Sequence, residues 1–299
     1  MIHVLTHNIL PVFAMLALGF VMGRTGTATA TEARAINRIA FLVLQPPLIF
    51  LLMIGLDLNG FDIGALALYG GSQVVVFTAA YLIARHLLHR EHLESWLLGM
   101  TVIFINSLLY IWPITLLIYG QDAALPVTAI VAWDSAITFS FFIITTQAMA
   151  GRVPPVQTLI RIARNPVILA IIAGLTINLT AFQTPEPILT AARFASVATA
   201  PLTLFALGVI LSGHLLTPSP TVVTFTALKL VAFPVIILLG MATLLPGNPW
   251  QHLFTLTAAG PSGAMAFSLA MLYGVRTDAI APVIIWTSTL SLFSLAYLA

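Results

Sequence analysis

The sequence predicts an all-α polytopic membrane protein, with ten transmembrane helices arranged as two inverted five-helix repeats and with helices four and nine broken at membrane depth. Three observations predict it. The first is composition: 60% of the 299 residues are apolar, 7% are charged, and the mean hydropathy is +1.07. A water-soluble domain carries roughly 25% charged residues, so most of this surface must face lipid. The second is the length of the apolar runs, about 20 residues each, which suits a hydrocarbon core of ~30 Å. The runs are continuously apolar rather than alternating, which excludes a β-barrel. The third is an internal repeat. LQPPLIFLLMIG (44–55) lines up with TAPLTLFALGVI (199–210), and IYGQDAALPVTAIVAWDSAITFS (118–140) with LYGVRTDAIAPVIIWTSTLSLFS (272–294). The separation stays near 154 residues. A repeat of that length in a hydrophobic chain is the mark of a transporter built from two related halves.

The predicted spans run 5–23, 36–56, 63–84, 95–118, 124–148, 166–183, 188–211, 221–245, 251–272 and 279–298. Span one has no Lys or Arg before it, so it reads as a retained helix rather than a cleaved signal peptide. Span two carries Gln45 before the paired prolines of LQPPLIF, and span three carries Gln73. Span four contains INSLLYIWP, with Asn106, Ser107 and Pro113 near mid-membrane, and span five contains Asp134. Span eight contains Lys229, span nine the run AAGPSGAMAF with Gly260, Pro261, Ser262 and Gly263, and span ten Thr287. The halves divide as residues 1–149 and 165–299, joined by a linker at 150–164.

Arginine placement sets the orientation. Arg24, Arg34 and Arg38 flank the first connection, Arg85 and Arg90 the third, Arg152, Arg161 and Arg164 the fifth, and Arg276 the ninth. Asp57, Asp62, Asp122 and Glu186 lie on the even connections, where Arg193 is the nearby cation. The odd connections are therefore expected in the cytoplasm and both termini outside. Five helices per half then run the halves in opposite directions.

Prolines and glycines predict where spans four and nine break. A proline removes an N–H and frees a carbonyl, and glycine tolerates unwinding. Counting back from Tyr119-Gly120 and Tyr273-Gly274 pairs Ser107 with Pro261, so the ladder is expected to be interrupted near Pro113 and Pro261. Two broken helices would point half-helix N-termini, with their partial positive charge, at a common centre that favours an anion. Ordinary proline kinks are the alternative. Asp134 and Lys229 each cost on the order of 3 kcal/mol at the bilayer centre unless paired or hydrated. Gln73 stands at the repeat-equivalent position of Lys229, and Thr287 at that of Asp134. Asp134 is a candidate coupling acid or a structural hydrogen-bonding group; Lys229 is a candidate source of positive potential or a snorkelling side chain.

Several function classes drop out. There is no GxxxxGK[ST], which argues against ATP hydrolysis, and no HExxH, so no metal site is expected. The zero cysteines exclude disulfides and thiol chemistry. An intramembrane protease would need paired acids or a Ser/His pair at depth. A receptor would carry an appended signalling domain. The net charge of +2, spread over short loops, gives no reason to expect nucleic acid.

NPVILAIIAG (165–174), TAPLTLFALGVIL (199–211), LKLVAFPVI (228–236) and AAGPSGAMAFSLAMLYG (258–274), together with LQPPLIF and the closing TSTLS, resemble the auxin efflux carrier family of secondary transporters over almost the full length. The resemblance implies a scaffold of spans 1, 2, 6 and 7 and a mobile transport domain of spans 3–5 and 8–10. It also implies an architecture like that of the bile acid/sodium symporters, and carriage of malonate or other carboxylates. One departure stands out: Leu108 and Ile111 occupy positions where the family has glycines, between Asn106 and Pro113. The expected activity is alternating-access movement of a small organic anion, a carboxylate of malonate-like or auxin-like kind, by a protein that is not an enzyme. The runner-up readings are a sodium-coupled organic anion symporter and a non-transporting receptor. No cofactor is expected, and coupling to H+ or Na+ is left open. The expected surroundings are a bacterial inner membrane, with a homodimer through the scaffold helices as the candidate assembly.

Overall fold

The computed structural model describes residues 2–120, 125–150, 160, 163–214 and 216–299. Asp122, Arg152 and Arg161, used above to orient the chain, lie outside them. Among the described residues the secondary structure is helical, apart from a single isolated antiparallel bridge between Ile105 and Ser262. The helices are α1 (Ile2–Arg24), α2 (Ala30–Ile54), α3 (Ile63–Leu87), α4 (His92–Ile103), α5 (Ser107–Tyr119), α6 (Leu125–Ala150), α7 (Pro166–Thr180), α8 (Glu186–Ser212), α9 (Pro220–Leu244), α10 (Gln251–Ala258), α11 (Met265–Tyr273) and α12 (Ile280–Leu298). Of these, α1, α2, α3, α6, α8, α9 and α12 are long and apolar enough to cross a membrane.

Local chemistry explains the starts. Helix α2 begins six residues before the predicted apolar run, because Thr29 and Glu32 form a reciprocal capping box ahead of the polar turn that holds Arg34 and Arg38. Asp62 accepts the Ala65 N–H at 2.8 Å and so caps α3. That backbone bond holds the Asp62 carboxyl below its ordinary range. Asn165 and Ser219 cap α7 and α9, each followed by a proline at the first helical position.

The helices pack in two groups. In one, α1 lies along the C-terminal half of α8, and α2 packs on α7 and α8. Two glycines make the first of these contacts: a Cβ at Gly19 would collide with the Phe205 carbonyl, and one at Gly208 with the Leu16 carbonyl. Small residues that let backbones touch are how helices bind tightly in lipid, where burial of apolar surface supplies no drive. In the other group α3 packs on α4 and α9, α9 on α10 and α12, and α11 on α4. The outward faces carry exposed Val74, Val75, Leu239, Phe293 and similar side chains, the surface a bilayer would cover.

Candidate functional site

The chain between α4 and α5 meets the chain between α10 and α11 at the bridge. The Asn106 N–H donates to the Pro261 carbonyl at 3.0 Å, and the Gly263 N–H donates to the Phe104 carbonyl at 2.8 Å. These reciprocal bonds satisfy backbone groups that neither helix can serve, the condition for unwound backbone at membrane depth. The Ser262 N–H goes to the Thr287 hydroxyl at 3.2 Å, so α12 holds the crossing from behind. Gly263 is required here, since a Cβ would lie 2.7 Å from the Phe104 ring.

One expectation is corrected. The first break lies at Phe104–Asn106, seven residues before Pro113, which sits near the start of the α-helical turn Trp112–Tyr119. A π-turn over Ser107–Ile111 precedes it within the continuous helix α5, so the ladder around Pro113 is widened rather than ended. At the crossing Asn106 pairs with Pro261 and Phe104 with Gly263. The bulk at Ile111, where a glycine was expected, is met from the other chain: a Cβ on Gly260 would collide with the Ile111 side chain.

A cavity of about 430 Å3 opens beside the crossing. Gln45, Asn106, Ser107, Gly263 and Asp134 line it. So do Leu108, Leu109, Ala264 and Met265, which places the first turns of both α5 and α11 on one space. Gln45 (9% exposed), Asn106 (8%) and Ser107 (4%) are buried, and their side chains make no hydrogen bond to the described residues. Their polar atoms are not themselves sealed from solvent, so they open onto the cavity, where water or a ligand can serve them. Three such side chains around one cavity, with the N–H ends of two helices, can hold a small anion through neutral donors.

Gly260, Pro261, Ser262, Pro113, Gln73, Thr287 and Lys229 do not line this cavity. Gln73 and Lys229 instead serve matching ends of the broken helices. The Gln73 amide donates to the carbonyl of Ile103, the last residue of α4, at 3.3 Å. The Lys229 ammonium donates to the carbonyl of Ala258, the last residue of α10, at 2.6 Å and lies 5.1 Å from the centre of the Phe233 ring. A helix C-terminus carries partial negative charge and orphan carbonyls, which both side chains answer. Asp134 reaches the cavity, yet it also accepts from Gln73 Nε2 at 2.9 Å, Tyr69 at 3.1 Å and Thr138 at 3.3 Å. Gln73 Oε1 in turn accepts from Trp133 Nε1 at 2.8 Å, so one network links α3, α4 and α6. Among the described residues no ion pair joins Asp134 to Lys229.

Arg34, Asn37, Ser135, Thr203 and His214 also line the cavity and were not singled out from sequence. For α2 the signal was present: Ala30, Arg34, Asn37, Phe41 and Gln45 recur at steps of three and four residues, the spacing of one helix face.

Apolar helices around a mostly apolar cavity with a few convergent polar side chains at a helix crossing fit one class, that of membrane transport proteins. The family model described as "Membrane transport protein" matches residues 4–299, and the chain belongs to that family, the one the auxin efflux carrier motifs resemble. The chain is also 27% identical over 296 residues, 96% of its length and 92% of the relative's, to a "Putative malonate transporter" of Rhizobium meliloti (strain 1021).

Proposed function

We propose that this protein is a secondary transporter that carries a small organic carboxylate by alternating access, with the cavity beside the crossing as its substrate site. The observation that carries this reading is the set Gln45, Asn106 and Ser107, polar side chains that line one cavity and make no hydrogen bond to the described residues. A carboxylate placed there would accept from the Asn106 and Gln45 amides, the Ser107 hydroxyl and the N–H groups that open α5 and α11. Donors to a charged acceptor are stronger than neutral pairs, worth ~1.5–3 kcal/mol each. The relative's printed name makes malonate the first substrate to try.

In this reading α4 with α5, and α10 with α11, each count as one broken crossing helix, so the chain has ten membrane helices in two inverted halves, residues 1–149 and 165–299. The two packing groups support a division of labour. The α1, α2, α7 and α8 group would be the scaffold, through which a homodimer would form, and the remaining helices the moving domain. The site lies on both, with Gln45 from one group and Asn106, Ser107 and Gly263 from the other. Sliding one group against the other would carry the anion across while the bridge keeps the crossing intact. Asp134, on the cavity and tied to Gln73, would carry a coupling proton. The arginine-bearing connections would face the cytoplasm of a bacterial inner membrane.

Thermal-shift binding of mono- and dicarboxylates to the purified protein tests the reading. Stabilisation by malonate or another short carboxylate, lost in Asn106→Ala, is expected; no stabilisation by any carboxylate would refute the assignment of the site.

A further inference from the structure

One face of α2 lines the cavity along its length. Gln45 stands at the deep end beside Asn106, and Arg34 lies near the capped start of the helix. Eleven residues of helix put roughly 16 Å between them along the axis. At the Arg34 end the wall is completed by Gly213 and His214 after α8 and by Met271 of α11.

Arg34 is exposed and, among the described residues, it is the Lys or Arg side chain that lines the cavity. Among the other described arginines on odd connections, Arg38 and Arg164 lie off the cavity, and four others are occupied. Arg24 donates to the His214 carbonyl at 3.2 Å, Arg85 to the Arg90 carbonyl at 3.0 Å, and Arg90 pairs with Glu94 at 3.0 Å. Arg276 pairs with Asp278 at 3.1 Å. Arg34 has no ion pair and no hydrogen bond to the described residues. His214, the other basic side chain on this wall, is pushed below its ordinary range by burial, and its Nε2 faces the Thr277 hydroxyl at 3.3 Å. The guanidinium of Arg34 is thus the permanent positive charge of the mouth. The carboxylate among the cavity-lining residues, Asp134, sits in the network with Gln73 and Tyr69.

Building on the transporter reading, we propose that Arg34 is a first docking station for the substrate's carboxylate, separate from the deep site at Asn106. The planar guanidinium presents paired N–H donors that match a carboxylate, and Asn37, three residues on and also lining the cavity, offers an amide on the same face. A short diacid cannot span roughly 16 Å of helix, so the two stations are occupied in succession. The mouth captures the anion by charge, and the crossing then holds it with neutral donors. A capture site of this kind acts on association and is screened by salt.

The test is initial-rate uptake of radiolabelled malonate, succinate or acetate into proteoliposomes of sorted orientation, for the wild type, Arg34→Gln and Arg34→Lys, at low and high salt. Arg34→Gln is expected to raise KM by about threefold to tenfold at low salt, with a much smaller change in maximal rate. It should also flatten the salt dependence of KM; Arg34→Lys, which keeps the charge but not the paired donors, should restore the salt dependence and part of the KM. The effect should appear only when substrate is offered on the Arg34 side. Wild-type KM and salt dependence in Arg34→Gln would overturn the docking station while leaving the transporter reading standing. So would equal loss of maximal rate in the Gln and Lys variants, the mark of a structural role. Absence of uptake by the wild type for all three acids would overturn the reading and the station together.

Discussion

Replacing Lys229 should cost stability rather than substrate binding, and the cost depends on what replaces it. The side chain is fully buried, its ammonium donates to the Ala258 carbonyl at 2.6 Å, and it lies over the Phe233 ring. A hydrogen bond from a charged donor is worth ~1.5–3 kcal/mol net of desolvation, and a desolvated cation over an aromatic ring adds about 1 kcal/mol. Lys229→Met keeps the length and apolar stem but supplies no donor, leaving the last carbonyl of α10 bare. A loss of about 2–3 kcal/mol is expected, or roughly 3–5 °C in midpoint for a chain of this size. Lys229→Gln retains a neutral donor. Gln73 shows that an amide serves the same purpose at Ile103, so this variant should lose less than about 1 kcal/mol. Thermal unfolding of the detergent-purified proteins measures both. A Met variant as stable as the wild type, or a Gln variant as damaged as the Met variant, would refute the capping argument.

Asp134→Asn preserves the shape of the network with Gln73, Tyr69 and Thr138 but has no proton to release. It should bind substrate yet lose the pH dependence of transport in proteoliposomes, and unchanged pH dependence would return Asp134 to a structural role. Gly260→Ala drives a methyl into Ile111 and should destabilise the protein by about 1–3 kcal/mol, the usual range for overpacking. In a double-mutant cycle with Ile111→Ala, which carries its own cavity cost, the combined loss should be smaller than the sum of the two separate losses; strict additivity in thermal unfolding would deny the contact between the two breaks. Gly208→Val should be more damaging, because a Cβ there meets the Leu16 carbonyl, backbone that cannot turn aside. Recovery of normal yields of stable protein would argue against the α1–α8 contact.

Much of this architecture was legible because lipid imposes a simple code. Long apolar runs must be helices, and helices lie where each run was predicted. The start of α2 was missed because its first turn is polar and was found by no hydropathy criterion; the Thr29–Glu32 pair was its signal. The first break was misplaced because proline was taken as the breaker. Pro113 lies inside α5 behind a π-turn that accommodates it without ending the helix, while the chain unwinds at Phe104–Asn106, where two hydrogen bonds come from a segment more than 150 residues away. No local pattern reports such a partner. Asn106, Ser107, Gln45 and Asp134 were legible as polar residues in apolar runs. That Lys229 faces a carbonyl, not the cavity, depends on the placement of α9 beside α10, although its repeat partner Gln73 pointed to the shared role. The Arg34 face of α2 was there to be read as a helical stripe but was absorbed into the count of loop arginines.

The central claim is that this protein carries a carboxylate through the site at Asn106. The direct measurement is uptake of radiolabelled malonate, alongside a panel of short mono- and dicarboxylates, into proteoliposomes holding the wild type or Asn106→Ala at matched amounts of folded protein. The account predicts saturable wild-type uptake of at least one carboxylate and, from the loss of one charge-assisted contact, an apparent affinity weaker by about 10- to 100-fold in the variant. No carboxylate uptake by the wild type, or the same KM in both proteins, would contradict it.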